Sequence, residues 1–264
     1  LHLGPAGAAL GTTCAQAISV VISLCMIIRQ RKEFSLSRED FRLSHNIMGH
    51  ILKIGIPIAL QDGFIQVAFM IITIIANQRG LNDAAAVGIV EKIISFLFLI
   101  PSSMLSTVSA LGAQNIGAGK RQRANETLRY AVLITVGFGI IVGIFMQFFA
   151  SPVVALFTDA SDASGAEVVR LGGQYLRGYV WDCMFAGIHF SFSGYFCACG
   201  KSGISFLHNI IAITLVRIPG VYLTSTLFPD TLFPMGLATA AGSLLSAIIC
   251  VVAFTILNGK ERQK

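Results

Sequence analysis

Four stretches of this 264-residue chain contain no Asp, Glu, Lys or Arg: residues 1–28, 93–119, 130–158 and 231–259, of 28, 27, 29 and 29 residues. About 20 mostly apolar residues cross a bilayer as a helix, so each run is long enough by itself. Three further segments, 54–78, 172–199 and 202–228, carry a few charges and remain apolar enough to span. With one segment taken from about Ala84, the pattern predicts seven transmembrane helices. A spanning segment must satisfy its backbone internally, and the weak alternation of a membrane β-barrel is missing, so the expected fold is all-α and polytopic.

Composition agrees with this pattern. Apolar residues make up 55% and charged ones 12%, about half the charged share of an ordinary soluble domain. That excludes a disordered chain, a disulfide-stapled secreted module and most soluble enzymes. The first run is too long for a signal-peptide core and lacks an initiator Met and a basic leader, so the chain reads as part of a longer protein. The net charge of +6 marks sidedness. Alternate loops and the tail, taken as cytoplasmic, hold 14 of the 19 basic residues, and the opposite loops only Arg79 and Arg170. Lys and Arg favour the cytoplasmic side, which puts the amino end outside and the carboxyl end in the cytoplasm. The basic loops are read as topogenic, with no nucleic acid as a partner. The six cysteines (Cys14, Cys25, Cys183, Cys197, Cys199 and Cys250) all fall in spans without zinc-ligand spacing, and act as small packing residues.

The first and last runs open alike. Pro5-Ala6-Gly7-Ala8-Ala9 stands beside Pro234-Met235-Gly236-Leu237-Ala238, and each run ends in a basic cluster. Small residues at this spacing let helices approach closely in lipid, which is one reading. The other is a repeat of six helices, the architecture of many transporters. It divides the chain into the last helix of a first lobe (1–28), a cytoplasmic linker (29–53), a second six-helix lobe (54–257) and a cytoplasmic tail (258–264), with about five helices of the first lobe absent.

The stretch Ser109-Ala110-Leu111-Gly112-Ala113-Gln114-Asn115-Ile116-Gly117-Ala118-Gly119-Lys120, followed by Arg123-Ala124, resembles a helix end and cytoplasmic turn of the multidrug and toxic compound extrusion (MATE) family. The Pro5–Leu10 opening looks like that family's sixth helix, and Ile54-Gly55-Ile56-Pro57 like the start of its seventh. The resemblance implies two lobes of six helices that export small organic cations across the cell membrane in exchange for Na⁺ or H⁺. No cofactor beyond the coupling ion is implied. Gly112 and Gly117 have phosphate-loop spacing, but Ala118 stands where Lys is required, so an ATPase is discarded.

Six charges fall inside spans: Asp62, Glu91, Lys92, Arg177, Asp182 and Arg217. An intramembrane charge is costly and points to function by default. Asp182 lies near mid-span with Tyr179 and His189 on roughly the same face; Asp62 lies about 12 Å into its helix. Both carboxylates suit a coupling H⁺, or Na⁺ together with carbonyl oxygens. The resemblance adds that the family's second lobe carries cation-binding acids on its first and fourth helices. Asp182 fits the fourth; Asp62 falls about one turn early on the first, with Ile65 and Gln66 nearer the family position. Glu91 and Tyr179 are further cation-binding candidates, and Glu91 and Lys92 belong either to a structural ion-pair network or to a cavity lining. Arg177 and Arg217 are expected to snorkel towards the outer interface. His189 and His208 are expected as packed polar residues, with His189, Gln66, Phe64 and Phe185 as candidate cavity lining. Pro101 and Pro219 are expected to kink helices.

These residues lead to a cation-coupled multidrug efflux antiporter working by alternating access, not an enzyme, since no nucleophile–base pairing is present. The alternatives are a lipid-linked glycan flippase of similar shape, which calls for more cavity bases, and a seven-helix receptor, which fits the span count but not the repeat.

Overall fold

The computed structural model describes residues 4–29, 44–158 and 161–262. Among them every regular element is a helix: α1 (Gly4–Arg29), α2 (His45–Arg79), α3 (Leu81–Leu97), α4 (Leu99–Gly117), α5 (Arg121–Ala155), α6 (Ala163–Tyr179), α7 (Asp182–Ala198), α8 (Ser202–Ala212), a π-helical turn (Ile213–Arg217), α9 (Ile218–Leu227) and α10 (Phe233–Arg262). Six stretches have the length and composition to cross a membrane: 9–27, 45–79, 81–117, 121–155, 202–227 and 233–257. The predicted span at 172–199 is divided between α6 and α7, and neither is long enough alone. Most of the predicted linker, including Arg31, Lys32, Arg38 and Arg42, lies outside the described residues, as do Asp159 and Lys264. The linker's last residues are helical, because α2 begins at His45.

The chain forms two compact units, residues 1–48 and 49–264. In the first, α1 exposes apolar side chains along its length, Ile18, Val20, Val21 and Leu24 among them. Its hydroxyls fold back on their own helix, Thr13 to the Ala9 carbonyl and Ser23 to that of Ser19.

The second unit holds the core, in two apolar clusters. One gathers Ile72, Val87, Ile94, Ala150, Val154, Tyr175, Tyr179 and Met235; the other gathers Val108, Leu128, Ala131, Tyr195, Phe196 and Cys250. Between them, each central helix passes through a buried polar stretch: Thr135 on α5, Asp182 to Ser193 on α7, His208 and Asn209 on α8, Arg217 on the π turn, and Ser243 and Ser246 on α10. Polar side chains are costly to bury without partners, so this layer needs a structural or functional cause.

Backbone breaks have local causes. The segment expected from about Ala84 starts at Leu81 and parts at Phe98. Pro101 follows three residues later; without an N–H it cannot continue the ladder and is accepted in the first turn of α4. Pro219 likewise sits in the first turn of α9, directly after the π turn. Pro57 and Pro152 are carried inside α2 and α5. Helix α6 crosses α10 at Gly178 and Gly236: a Cβ on Gly178 would come within 2.5 Å of the Phe233 carbonyl oxygen, and one on Gly236 within 2.8 Å of the Tyr179 nitrogen. The glycine of the second Pro-x-Gly motif is therefore a backbone-contact position, as packing of small residues requires.

Candidate functional site

Helix α6 ends at Tyr179 and α7 begins at Asp182, so the short connection through Val180 and Trp181 brings the tyrosine and the carboxylate close together. Both are fully buried. Arg217, the last residue of the π turn, reaches them with one nitrogen: Nη2 donates to the Tyr179 hydroxyl at 2.9 Å and to Asp182 Oδ2 at 3.0 Å. The guanidinium carbon lies 5.4 Å from the Phe69 ring centroid and 5.8 Å from that of Tyr179, within cation–π range. Arg217 Nε and Asp182 Oδ1 have no hydrogen-bond partner. The Ser243 hydroxyl lies beside Asp182 without meeting hydrogen-bond geometry.

This corrects the snorkelling expectation for Arg217, which is only 7% exposed. A π turn widens the helix by one residue and shifts the phase of the residues that follow. The side chain then leaves toward α7, where Asp182 offers a counter-charge. Gly242 on α10 makes room for it, since a Cβ there would stand 2.8 Å from the Arg217 Cβ. Arg177 is also held in place, half-buried against α5, with Nε donating to the Gln147 carbonyl at 3.1 Å and Nη2 to Ser151 Oγ at 3.3 Å.

The remaining candidates divide between this site and its surroundings. Glu91, half-buried on α3, accepts from the Thr73 hydroxyl at 3.3 and 3.4 Å and lies within electrostatic reach of Arg217. Lys92 points to an exposed face, so adjacent positions have separate surroundings. Asp62 and Gln66 are exposed on α2 and line a different hollow of about 320 Å³ with Ile58, Ile65, Ser102, Leu105, Ser106 and Phe190. Asp62 and Asp182 therefore share no partner. Phe64 is 36% exposed and tilts against Phe206 at 5.8 Å; Phe185 is half-buried.

His189 is buried, with Nδ1 unpartnered and its ring 5.7 Å from that of His208. His208, expected as a packed polar residue, is buried and bonded through both ring nitrogens. Sequence reasoning missed Arg217, Ser193, Ser243 and Ser246 as members of one layer. The available signal was depth: Arg217 lies 11 residues, about 16 Å, before the outer end of its predicted span at Phe228, near the bilayer middle and too deep for easy snorkelling. Buried Gln61, with both amide atoms unpartnered, was also missed.

Residues 49–264 thus form a helical unit with a buried, incompletely satisfied ion pair between two apolar clusters. The MatE family profile matches residues 57–223, and the chain belongs to that family, as a multi-pass membrane protein. It is 28% identical over 229 residues to the probable multidrug resistance protein YpnP of Bacillus subtilis, covering 85% of this chain and 49% of that protein. It is 26% identical over 229 residues to the multidrug export protein MepA of Staphylococcus haemolyticus, covering 86% and 49%. The crystal structure of a MATE protein in complex with MaL6 superposes with a TM-score of 0.89 at 18% identity, over 100% of this chain and 58% of that one. The chain spans about half the length of the curated relatives it matches.

Proposed function

We propose that this chain supplies the second lobe, and the helix before it, of a cation-coupled multidrug efflux antiporter. In this reading residues 172–199, the later turns of α6 together with α7, make one broken span, the seventh. The amino end faces outside and the carboxyl end the cytoplasm, in the cell membrane. A first lobe of six helices, of which α1 is the last, completes a central cavity, and the two lobes alternate between inward and outward access. Small organic cations are the exported substrates, and Na⁺ or H⁺ is taken up in exchange. The chain catalyses no covalent chemistry.

One observation carries the proposal: the buried Asp182 carboxylate, bound on one oxygen by Arg217 and free on the other. A buried carboxylate whose protein partner is incomplete can exchange that partner for a coupling cation, and a change of charge in a low-dielectric layer is a strong conformational lever. The names of the relatives support drug export. The flippase reading needs cavity bases for a pyrophosphate, but Arg177 is tied to α5 and Arg217 to Asp182.

The test is ethidium efflux by the complete transporter in proteoliposomes. Asp182→Asn is expected to abolish efflux driven by a Na⁺ or H⁺ gradient while the protein reaches the membrane at normal levels. Unchanged driven efflux would remove Asp182 from coupling.

A further inference from the structure

The polar layer continues beyond the Asp182–Arg217 pair in an ordered way. His208 on α8 is wholly buried, and its two ring nitrogens meet hydroxyls on two other helices: Nε2 lies 2.9 Å from Ser193 Oγ on α7 and Nδ1 2.5 Å from Ser246 Oγ on α10. In a neutral imidazole one nitrogen donates and the other accepts, so the two serines play opposite parts, and exchanging the tautomer exchanges those parts. Past Ser246, a cavity of ≈10 Å³ is lined by Asn209, Arg217, Ser243 and Ser246 among others. It is about the smallest space that holds one water, and two of its lining residues, Arg217 and Ser243, lie against Asp182. On the other side of His208, the Ser205 hydroxyl donates to the Ser193 carbonyl at 3.3 Å and lies 4.0 Å from Cys197 Sγ. Ser202 opens α8 at the Gly200–Lys201 turn and donates to the Lys53 carbonyl at 3.3 Å.

We propose that this seam, with Ser193, His208 and Ser246 as its bonded links and Ser202 and Ser205 as polar neighbours at its α8 end, conducts protons between that end of the unit and Asp182. His208 is the relay and H⁺ is the coupling ion. The inference rests on the antiport reading and adds to it the ion and its route.

The step balances without a further reactant. The Ser193 hydroxyl passes a proton to Nε2 and takes another from water entering at the α8 end, the imidazolium releases its other proton from Nδ1 to Ser246, and a flip of the ring with rotation of both hydroxyls restores the starting tautomer. The proton ends on Asp182 Oδ1, the oxygen without a partner. That carboxylic acid no longer balances Arg217, and the ion pair opens. A proton needs only that lone pair. A metal cation needs several oxygens and would meet the like charge of the Arg217 guanidinium as it arrives. The titratable groups that face the relay are His189, Cys197 and Asp182 from α7, Arg217 from the π turn, and Cys250 one turn beyond Ser246 on α10. Of these, only Asp182 offers a buried carboxylate oxygen without a partner.

The experiment uses the complete transporter in proteoliposomes with ethidium as substrate, comparing transport driven by a pH gradient with ethidium counterflow, which needs no net proton movement. His208→Gln keeps a donor and an acceptor but cannot relay a proton. We expect it to lose about a hundredfold of pH-driven transport, the lower end of what a positioned proton-transfer group contributes, and to keep its counterflow. Ser246→Ala should fall in the same sense, and Ser246→Thr, which restores the hydroxyl, should recover. Wild-type pH-driven rates in His208→Gln would overturn the relay and leave the antiport reading standing. Wild-type transport driven by Na⁺ and not by a pH gradient would also overturn the relay alone. If the wild type shows no ethidium counterflow, the antiport reading fails and takes the relay with it. If His208→Gln loses counterflow too, the Ser246 pair decides: equal pH-driven rates for Ala and Thr overturn the proposal.

Discussion

Two arginines, each paired with an aspartate, show how differently the unit of residues 49–264 uses one side chain. Arg79, at the end of α2, commits all three of its nitrogens. Nε donates to Asp83 at 2.8 Å, Nη1 to the carbonyls of Ser225 and Phe228, and Nη2 to those of Pro229 and Thr231. It binds the end of α9 and the connection into α10 to the α2–α3 corner. Arg217 reaches its aspartate with one nitrogen, rests on two aromatic rings and leaves Nε unpartnered. A guanidinium satisfied on every side has no reason to move. One held by a single nitrogen in a buried layer can be released by changing the charge of its partner.

The largest effect should come from unbalancing the buried pair. Arg217→Met leaves Asp182 buried without a counter-charge, and breaking such a pair costs about 3–5 kcal/mol. Thermal unfolding in detergent is expected to show this loss, with gradient-driven transport absent. Adding Asp182→Leu should recover most of the stability and none of the transport, because apolar replacement of a whole buried pair is often neutral. Stability that stays low in the double variant would mean that the pair is a structural element like Arg79.

Arg79→Met is the reciprocal case. Its carbonyl partners lie at a helix end where water can replace the guanidinium, so the cost is a few charge-assisted bonds, about 2–3 kcal/mol. Transport per folded molecule should be unchanged. A loss of transport out of proportion to folded protein would make the α2–α3 corner part of the moving machinery and erase the contrast between the two arginines.

Much of this contrast was beyond the reach of the sequence, for identifiable reasons. Charge-free runs mark helices because an apolar helix needs no partner to be recognised, so the all-helical fold and most span boundaries were legible. Asp182 stood out because a mid-span carboxylate is costly wherever it points. Its partner did not, since Arg217 is 35 residues away and reaches it only through a π turn that no residue pattern announces. Asp62 and Asp182 look alike in the sequence, yet one is exposed and the other buried, a difference set by neighbouring helices. The serines of the polar layer were hidden for another reason: small hydroxyl residues are equally at home in ordinary helix packing, and only His208 between two of them gives them a direction.

A smaller change tests whether Arg217 is held by its surroundings as well as by Asp182. Gly242→Ala adds a methyl group where the Arg217 Cβ would be only 2.8 Å away. Overpacking of this kind costs about 1–3 kcal/mol, and displacement of the guanidinium should weaken coupling more than substrate counterflow. Equal losses in both assays would show that the methyl group distorts the lobe generally.

The smallest effect is expected at a third arginine, which sets the baseline for the other two. Arg170 pairs with Glu167 on the first turns of α6, through Nε at 2.9 Å and Nη2 at 2.7 Å, with both side chains open to solvent over 49% and 39% of their surface. Exposed pairs contribute about 0.2–1 kcal/mol and are screened by salt, so Arg170→Ala should shift unfolding by no more than that. The hydrogen bond from Arg170 holds the Glu167 carboxyl below its ordinary value. A carboxyl lowered in the folded state stabilises it above the unfolded-state value, and the contribution disappears as the pH falls through the folded-state value. Wild type and Arg170→Ala should therefore differ slightly at neutral pH and converge on acidification, measured as unfolding midpoints across a pH series at low salt. A difference that persists in acid would mean that Arg170 acts through packing of its stem. It would then be a weaker relative of Arg79 and not the solvent-exposed reference against which the buried Arg217 is judged.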